Sequence, residues 1–178
     1  MVQVYTVNYK SQLFIAKEMF LSVSVSIMVI YIYTLVRPDA ASFLISYIPW
    51  MIIGYFLIEV MPTILFHRQY YSYNKDTGLT VDPVQRTMAI EENKVPKTFR
   101  FDEIKRVELV LNGDLYNGAQ HALNVWGIYH YAILELGDGS RYVITCLLVN
   151  NLRKFFPSLG IDVVKRKKAI PSISLAQA

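Results

Sequence analysis

Two stretches of the chain carry no charged side chain. Met19 to Val36 spans 18 residues and Ala40 to Ile58 another 19, with Arg37-Pro38-Asp39 between them. At 1.5 Å per residue, runs of this length match a hydrocarbon core of roughly 30 Å. The pattern predicts a transmembrane helical hairpin over 19–66, its second helix continuing past Glu59 to about Phe66. Ser22, Ser24 and Ser26 alternate as in a strand, but a lone strand in lipid leaves its backbone polar groups open, whereas a helix satisfies them internally. These serines are expected to bond back to the preceding turn or to line the contact with the second helix. Pro38 closes the first helix, Asp39 suits the cap of the next, and Pro49 predicts a kink.

Residues 1–18 alternate apolar and polar at first, with Val2, Val4, Tyr5, Val7 and Tyr9, then shift to helical spacing at Leu13, Phe14 and Lys17. Tyrosine and lysine fit a segment lying at the membrane interface. A short strand packed on the C-terminal domain is the other reading. From 67 to 163 the pattern becomes short strands broken by turns. Strands are expected at Gln69–Tyr73, Leu79–Val81, Thr87–Ile90, Lys97–Phe101, Val107–Leu111, Ile128–Leu136 and Arg141–Leu147, with a polar loop over 112–124. Gly137-Asp138-Gly139 marks the clearest hairpin. An amphipathic helix follows, capped by Asn150 or Asn151, striped by Leu152, Phe155 and Phe156, and ended by Pro157 to Gly160. Residues 164–178 read as a basic, mobile tail.

Composition sharpens this division. The mean hydropathy of +0.29 averages two unlike parts, and only Lys10, Lys17 and Arg37 of the 18 basic residues precede His67. By the positive-inside bias both termini face the cytoplasm. The net charge of +4 is too mild for a nucleic-acid surface. Cys146 is the single cysteine, which excludes an intrachain disulfide and a cysteine-based metal site.

Candidate chemistry is sparse. Glu59 is the one carboxylate inside the spans, a default candidate for a polar path, although its place near a helix end also suits the headgroup level. Lys165, Arg166, Lys167 and Lys168 form a membrane-surface candidate, since basic residues near anionic lipid contribute about 1 kcal/mol each. Tyr116, Trp126 and Tyr129 either anchor a partner or pack a core. His67, His121 and His130 are dispersed without a telling metal spacing, and are expected at the headgroup level or on the domain surface. Glu91-Glu92 and Asp102-Glu103 are paired only by sequence. Neither a phosphate-cradling Gly-rich loop with Lys nor a nucleophile elbow occurs. No catalytic, cofactor or metal site is assigned.

The strand-rich portion is similar to a pleckstrin-homology-like domain. The similarity is carried by Leu79-Thr80-Val81-Asp82, Phe101-Asp102-Glu103-Ile104 leading into Arg106-Val107-Glu108, Tyr131 to Leu136 with the Gly137-Asp138-Gly139 turn, and Tyr142-Val143-Ile144-Thr145 before the helix. With the hairpin, the chain resembles bacterial two-span membrane proteins carrying such a domain. The resemblance implies a membrane-anchored α+β protein, its helical hairpin followed by an antiparallel β-barrel or sandwich capped by a C-terminal helix. It implies a multi-pass protein of the bacterial inner membrane whose cytoplasmic domain binds or scaffolds a protein partner or the membrane surface, without enzymatic activity, with a possible homo-oligomer. Lipid-binding members commonly use a basic loop between the first two strands. Here Asn74-Lys75-Asp76 is the expected loop, and its single lysine beside an aspartate argues against a phosphoinositide pocket. A small oligomeric transport or channel component built on the hairpin is the alternative, and an enzyme acting on lipid or peptidoglycan precursors a third.

Overall fold

The computed structural model describes residues 2–37, 41–92, 94–119 and 124–173. A first helix, α1 (Tyr9–Val36), is followed by α2 (Ala41–Tyr55), a π-helical turn over Phe56–Val60, and α3 (Met61–Asn74). The expected break at Pro38 and Asp39 lies outside the described residues. Pro49 lies inside α2, but the departure from α geometry comes later, just before Pro62. Proline there has no N–H for the carbonyl four residues back, and the ladder widens so that Met61 N–H reaches Phe56 O.

Ile15–Val36 and Ser46–Asn74 are long and apolar enough to cross a membrane by length and composition. Their apolar side chains point outward, Phe20 being 76% and Trp50 70% exposed. The serines behave as expected. Ser24 and Ser26 hydroxyls donate to the carbonyls of Phe20 and Ser22 at 2.9 Å, and Tyr55 OH donates to Ser22 Oγ at 3.3 Å between the two helices.

The remaining elements form two four-stranded sheets. The first has the order β1 (Gln3–Thr6), β2 (Thr77–Asp82), β3 (Thr87–Glu92), β4 (Val95–Arg100) and is antiparallel throughout. In the second, β5 (Ile104–Leu111) lies between β6 (Tyr131–Leu136) and β8 (Val164–Lys167), and β7 (Arg141–Thr145) pairs with β6. Because β8 runs parallel to β5, this sheet is mixed, and the two sheets form a sandwich rather than a closed barrel. Period-two alternation sends Leu79, Val81, Met88, Ile90 and Phe99 inward from the first sheet. Val107, Leu109, Leu134, Leu136 and Ile144 meet them from the second. Helix α5 (Leu152–Ser158) adds Leu152, Phe155 and Phe156 to this core, and Asn151 caps it by accepting from Lys154 N–H at 3.3 Å.

Three expectations are corrected. The first 18 residues are not one interfacial segment. Gln3–Thr6 pairs with β2, and Tyr5 sets its ring edge-on to Phe155 at 5.4 Å, so this stretch takes the strand alternative before the helix begins at Tyr9. Gln69–Tyr73 is helical, because Phe66, Tyr70 and Tyr73 recur at helical spacing and cover one face. The expected tail starts as β8, since Val164 to Lys167 complete the ladder along β5. A consequence follows for topology. The connection between the first two strands is the whole hairpin, residues 7–76, and not Asn74-Lys75-Asp76.

The second sheet is packed on both faces. Val110, Tyr131, Ile133 and Val143 alternate with the inward set and meet Phe66, Tyr70 and Tyr73 of α3. At the end of that helix the buried Asn74 side chain completes the open edge of β7. Its Nδ2 donates to Val143 O at 3.0 Å and its Oδ1 accepts from Thr145 N–H at 2.8 Å, as a neighbouring strand would. Replacing Asn74 with Ala strands both backbone groups, so unfolding of the domain in denaturant should show a loss of roughly 2–4 kcal/mol. A loss under 1 kcal/mol would mean that water replaces the amide there.

Candidate functional site

The junction between α3 and the second sheet gathers a cluster of long-range polar contacts. Tyr70 OH donates to Pro171 O at 2.5 Å, while Gln69 donates to Ile173 O at 2.8 Å and accepts from Ile173 N–H at 3.2 Å. The segment after β8 is thereby bound back across the helix, with Ile173 buried. Nearer the apolar end, Glu59 Oε2 accepts from Val125 N–H at 3.0 Å, at the start of a 3₁₀ turn over Val125–Ile128. Glu59 is therefore a tie between helix and domain.

The aromatic candidates separate. Tyr129 is fully buried, and its ring meets Tyr70 edge-on at 5.0 Å and Phe66 at 6.0 Å. It is a packing residue and cannot present itself to a partner. Trp126 is half-buried against Phe66 at 6.2 Å, at the edge of a groove of about 420 Å³ shared with Ile58, Pro62, Leu65 and Ile170. Tyr116, 40% exposed, ends the one-turn helix α4 (Gly113–Tyr116). Of the basic cluster, Arg166 is paired with Glu108 at 3.0 Å and Lys168 Nζ donates to Ser172 O at 2.5 Å. Partial burial and Arg166 hold the Lys168 amine below its usual range. Lys165 and Lys167 alternate on β8 as exposed cations.

His121 lies outside the described residues, and His130 is buried rather than on the surface. Its Nδ1 donates to Ile128 O at 2.7 Å and its Nε2 has no partner among the described residues. Among the described residues no group of three metal-ligating side chains forms. Cys146 is buried in the same layer and its thiol is pushed up to about 12 by burial, as befits an unreactive core thiol. Asp138 is held down to about 2 by Lys97, whose ammonium reaches it at 2.7 Å and links β4 to the turn between β6 and β7. Glu103 accepts from Arg100 N–H at 2.9 Å, and Asp102 pairs with the Arg100 guanidinium at 3.3 Å.

Two further features bear on binding. A polar recess of about 310 Å³ lies where the end of α3 meets β3 and β7, with Asp76, Glu92 and Arg141 on its walls; burial raises the Glu92 carboxyl. A larger, mostly apolar groove of about 580 Å³ runs between α1 and α3. Sequence reasoning missed both, along with Asn74 and Gln69, because it ended the second helix at Phe66. The signal available was the helical spacing of Phe66, Tyr70 and Tyr73.

The strand order, the helix closing the sandwich and the match of a PH domain family model to residues 4–154 agree. The chain belongs to the PH domain family. A search among curated proteins finds no relative at significant similarity. The family match begins inside β1 and runs through both apolar helices to α5, so the hairpin is inserted within the PH domain and β8 lies beyond the matched region. A PH domain is a binding and scaffolding module rather than a catalytic one.

Two outcomes are expected. Burial lowers His130 to about 4, so the unfolded state, at about 6.5, binds the proton more readily. Its contribution to stability is full above pH 6.5 and is lost as pH falls toward 4, on the order of 3 kcal/mol. Unfolding followed across that window should show the slope, and His130→Gln should flatten it. Glu59→Leu should speed amide exchange at Val125 by roughly tenfold or more, whereas Glu59→Gln, which keeps an acceptor, should change it far less.

Proposed function

We propose that the chain is a two-span membrane protein whose PH domain is a cytoplasmic, non-enzymatic platform for a protein partner at the membrane surface. The observation that carries this reading is the single helical path from Ser46 to Asn74. Its first half exposes apolar side chains in every direction, and its second half is part of the domain's packing. Such a helix belongs in lipid at one end and in a folded domain at the other. Lys10, Lys17, Arg68 and Lys75 flank the helices on the domain side, against Arg37 at the tip, which favours both termini in the cytoplasm, at the inner membrane of a bacterium.

The anchoring determines which surface is presented. The rim bearing Trp126 and Ile170 adjoins Ile58 and Pro62, near the base of the span, and Tyr116 is a second exposed aromatic. Aromatic side chains at a rim of this kind suit a membrane-resident protein partner. Lys165 and Lys167 suit the anionic bilayer surface, at about 1 kcal/mol each. The connection used by lipid-binding relatives to hold a phosphoinositide is here the hairpin itself, which argues for a different ligand surface. A transport role finds no support in Glu59, whose carboxylate is taken by a backbone amide.

The test is fractionation and protection. The full chain should stay in membranes washed with alkaline carbonate, and protease added to inside-out vesicles should digest the domain while the hairpin tip is protected. Full-length protein recovered as a monodisperse species without detergent would sink the reading.

A further inference from the structure

We propose that the groove between α1 and α3 binds one phospholipid with an anionic headgroup, drawn from the surrounding leaflet. The inference rests on the membrane-anchored reading above and adds a ligand site on the helices, apart from the sheets. The 580 Å³ groove is apolar along its lower length, where Leu13, Ala16 and Met19 of α1 face Ile64 of α3. Leu13 is 57% and Ile64 55% exposed, although both sit beside the domain and not at the centre of a span. Its floor is closed where Ile15 and Thr63 are buried, and the Thr63 hydroxyl turns back to Glu59 O at 2.5 Å, leaving the floor without a free donor.

At the upper end the chemistry changes. Arg68 and His67 line the groove there, with no carboxylate along it. Arg68 is exposed and forms no ion pair among the described residues. It stands one helical turn beyond Ile64, about 5–6 Å along the axis, which is the thickness of the headgroup layer on one side of a bilayer. A guanidinium at that height is placed for a phosphodiester, which its planar fork can engage with two hydrogen bonds. The groove thus offers acyl-sized apolar length below and one unpaired cation above, and this asymmetry matches a lipid carrying net negative charge. A zwitterionic headgroup brings a cation for which the groove has no carboxylate. A small soluble phosphate would have only one exposed arginine and would leave the apolar length unfilled.

The experiment is native mass spectrometry of the full-length protein released from detergent micelles, titrated with phosphatidylglycerol or phosphatidylcholine of the same acyl chains. Wild type should retain one phosphatidylglycerol and bind it about tenfold more tightly than phosphatidylcholine, or 1.4 kcal/mol. Arg68→Glu should abolish that preference, Ala16→Trp should reduce binding of both lipids by filling the groove, and Lys75→Glu, at the far end of α3, should change neither. Glycerol 3-phosphate in excess should not displace the lipid. The proposal is overturned if no single tight adduct forms, if Arg68→Glu binds like wild type, if Lys75→Glu weakens binding as much as Arg68→Glu, or if glycerol 3-phosphate competes. Carbonate-resistant membrane association of the same variants separates the two readings: retention without the adduct removes the lipid site alone, and loss of retention in wild type removes the anchor and the site with it.

Discussion

The arrangement depends on one helix docking across the outer face of one sheet. A PH sandwich alone needs to bury only one face of each sheet, and its second sheet would leave Val110, Tyr131, Ile133 and Val143 against water. Here α3 covers them. Burial supplies the drive, and Asn74 helps fix the register, because its amide group bonds to Val143 O and Thr145 N–H on the free edge of β7. Two backbone groups would otherwise be stranded at a covered edge, each costing about 1–3 kcal/mol. Polar groups held at the end of α3 (Asn74) and in the π turn just before it (Glu59), with Tyr70 and Gln69 between them, leave the helix little freedom to slide or roll.

That docking makes sense of an insertion of 7–76 between paired neighbours. A long excursion between β1 and β2 carries a loop-closure cost that grows only with the logarithm of its length, and helices that pair with each other shorten the effective loop further. β1 pairs with β2 along Gln3 to Thr6, and beside that ladder Ile15 of α1 joins the buried cluster that contains Tyr70 of α3, so both ends of the excursion are held on the sandwich.

Much of the fold was legible in the sequence, and what was missed has a common cause. Apolar run length identified both long helices, strand patterning located β2 to β7 within a few residues, and Asn151 was recognised as a cap. These are local signals. Gln69–Tyr73 was read as a strand because aromatic density favours one locally, whereas its partners, Tyr129 and Tyr131, lie some sixty residues away and reward a helical spacing. Val164 to Lys167 carries three basic residues in four and has no strand signature of its own, so only the vacant edge of β5 and the Arg166 to Glu108 pair make it a strand. The candidate residues follow the same division. The exposure of Lys165 and Lys167 was foreseeable from charge, but the burial of Tyr129 and the engagement of Glu59 by Val125 depend on a helix–sheet interface that no local pattern announces.

A rigid junction also restricts what the domain can do. A PH domain on a flexible tether would sample all orientations, and its binding surface would meet partners in solution and on the membrane alike. Held by α3, it has a fixed orientation relative to the exposed apolar helices, and the π turn at Phe56–Val60 lies at the boundary between the two parts. The Glu59 carboxylate links the apolar helix directly to Val125 and the 3₁₀ turn. Trp126 is the next residue in that turn and forms the wall of the groove beside Ile170. The groove edge at Trp126 is thus one residue from the contact that ties the domain to the apolar helix, so on the membrane-anchored reading proposed above this edge is the part of the domain coupled to the span.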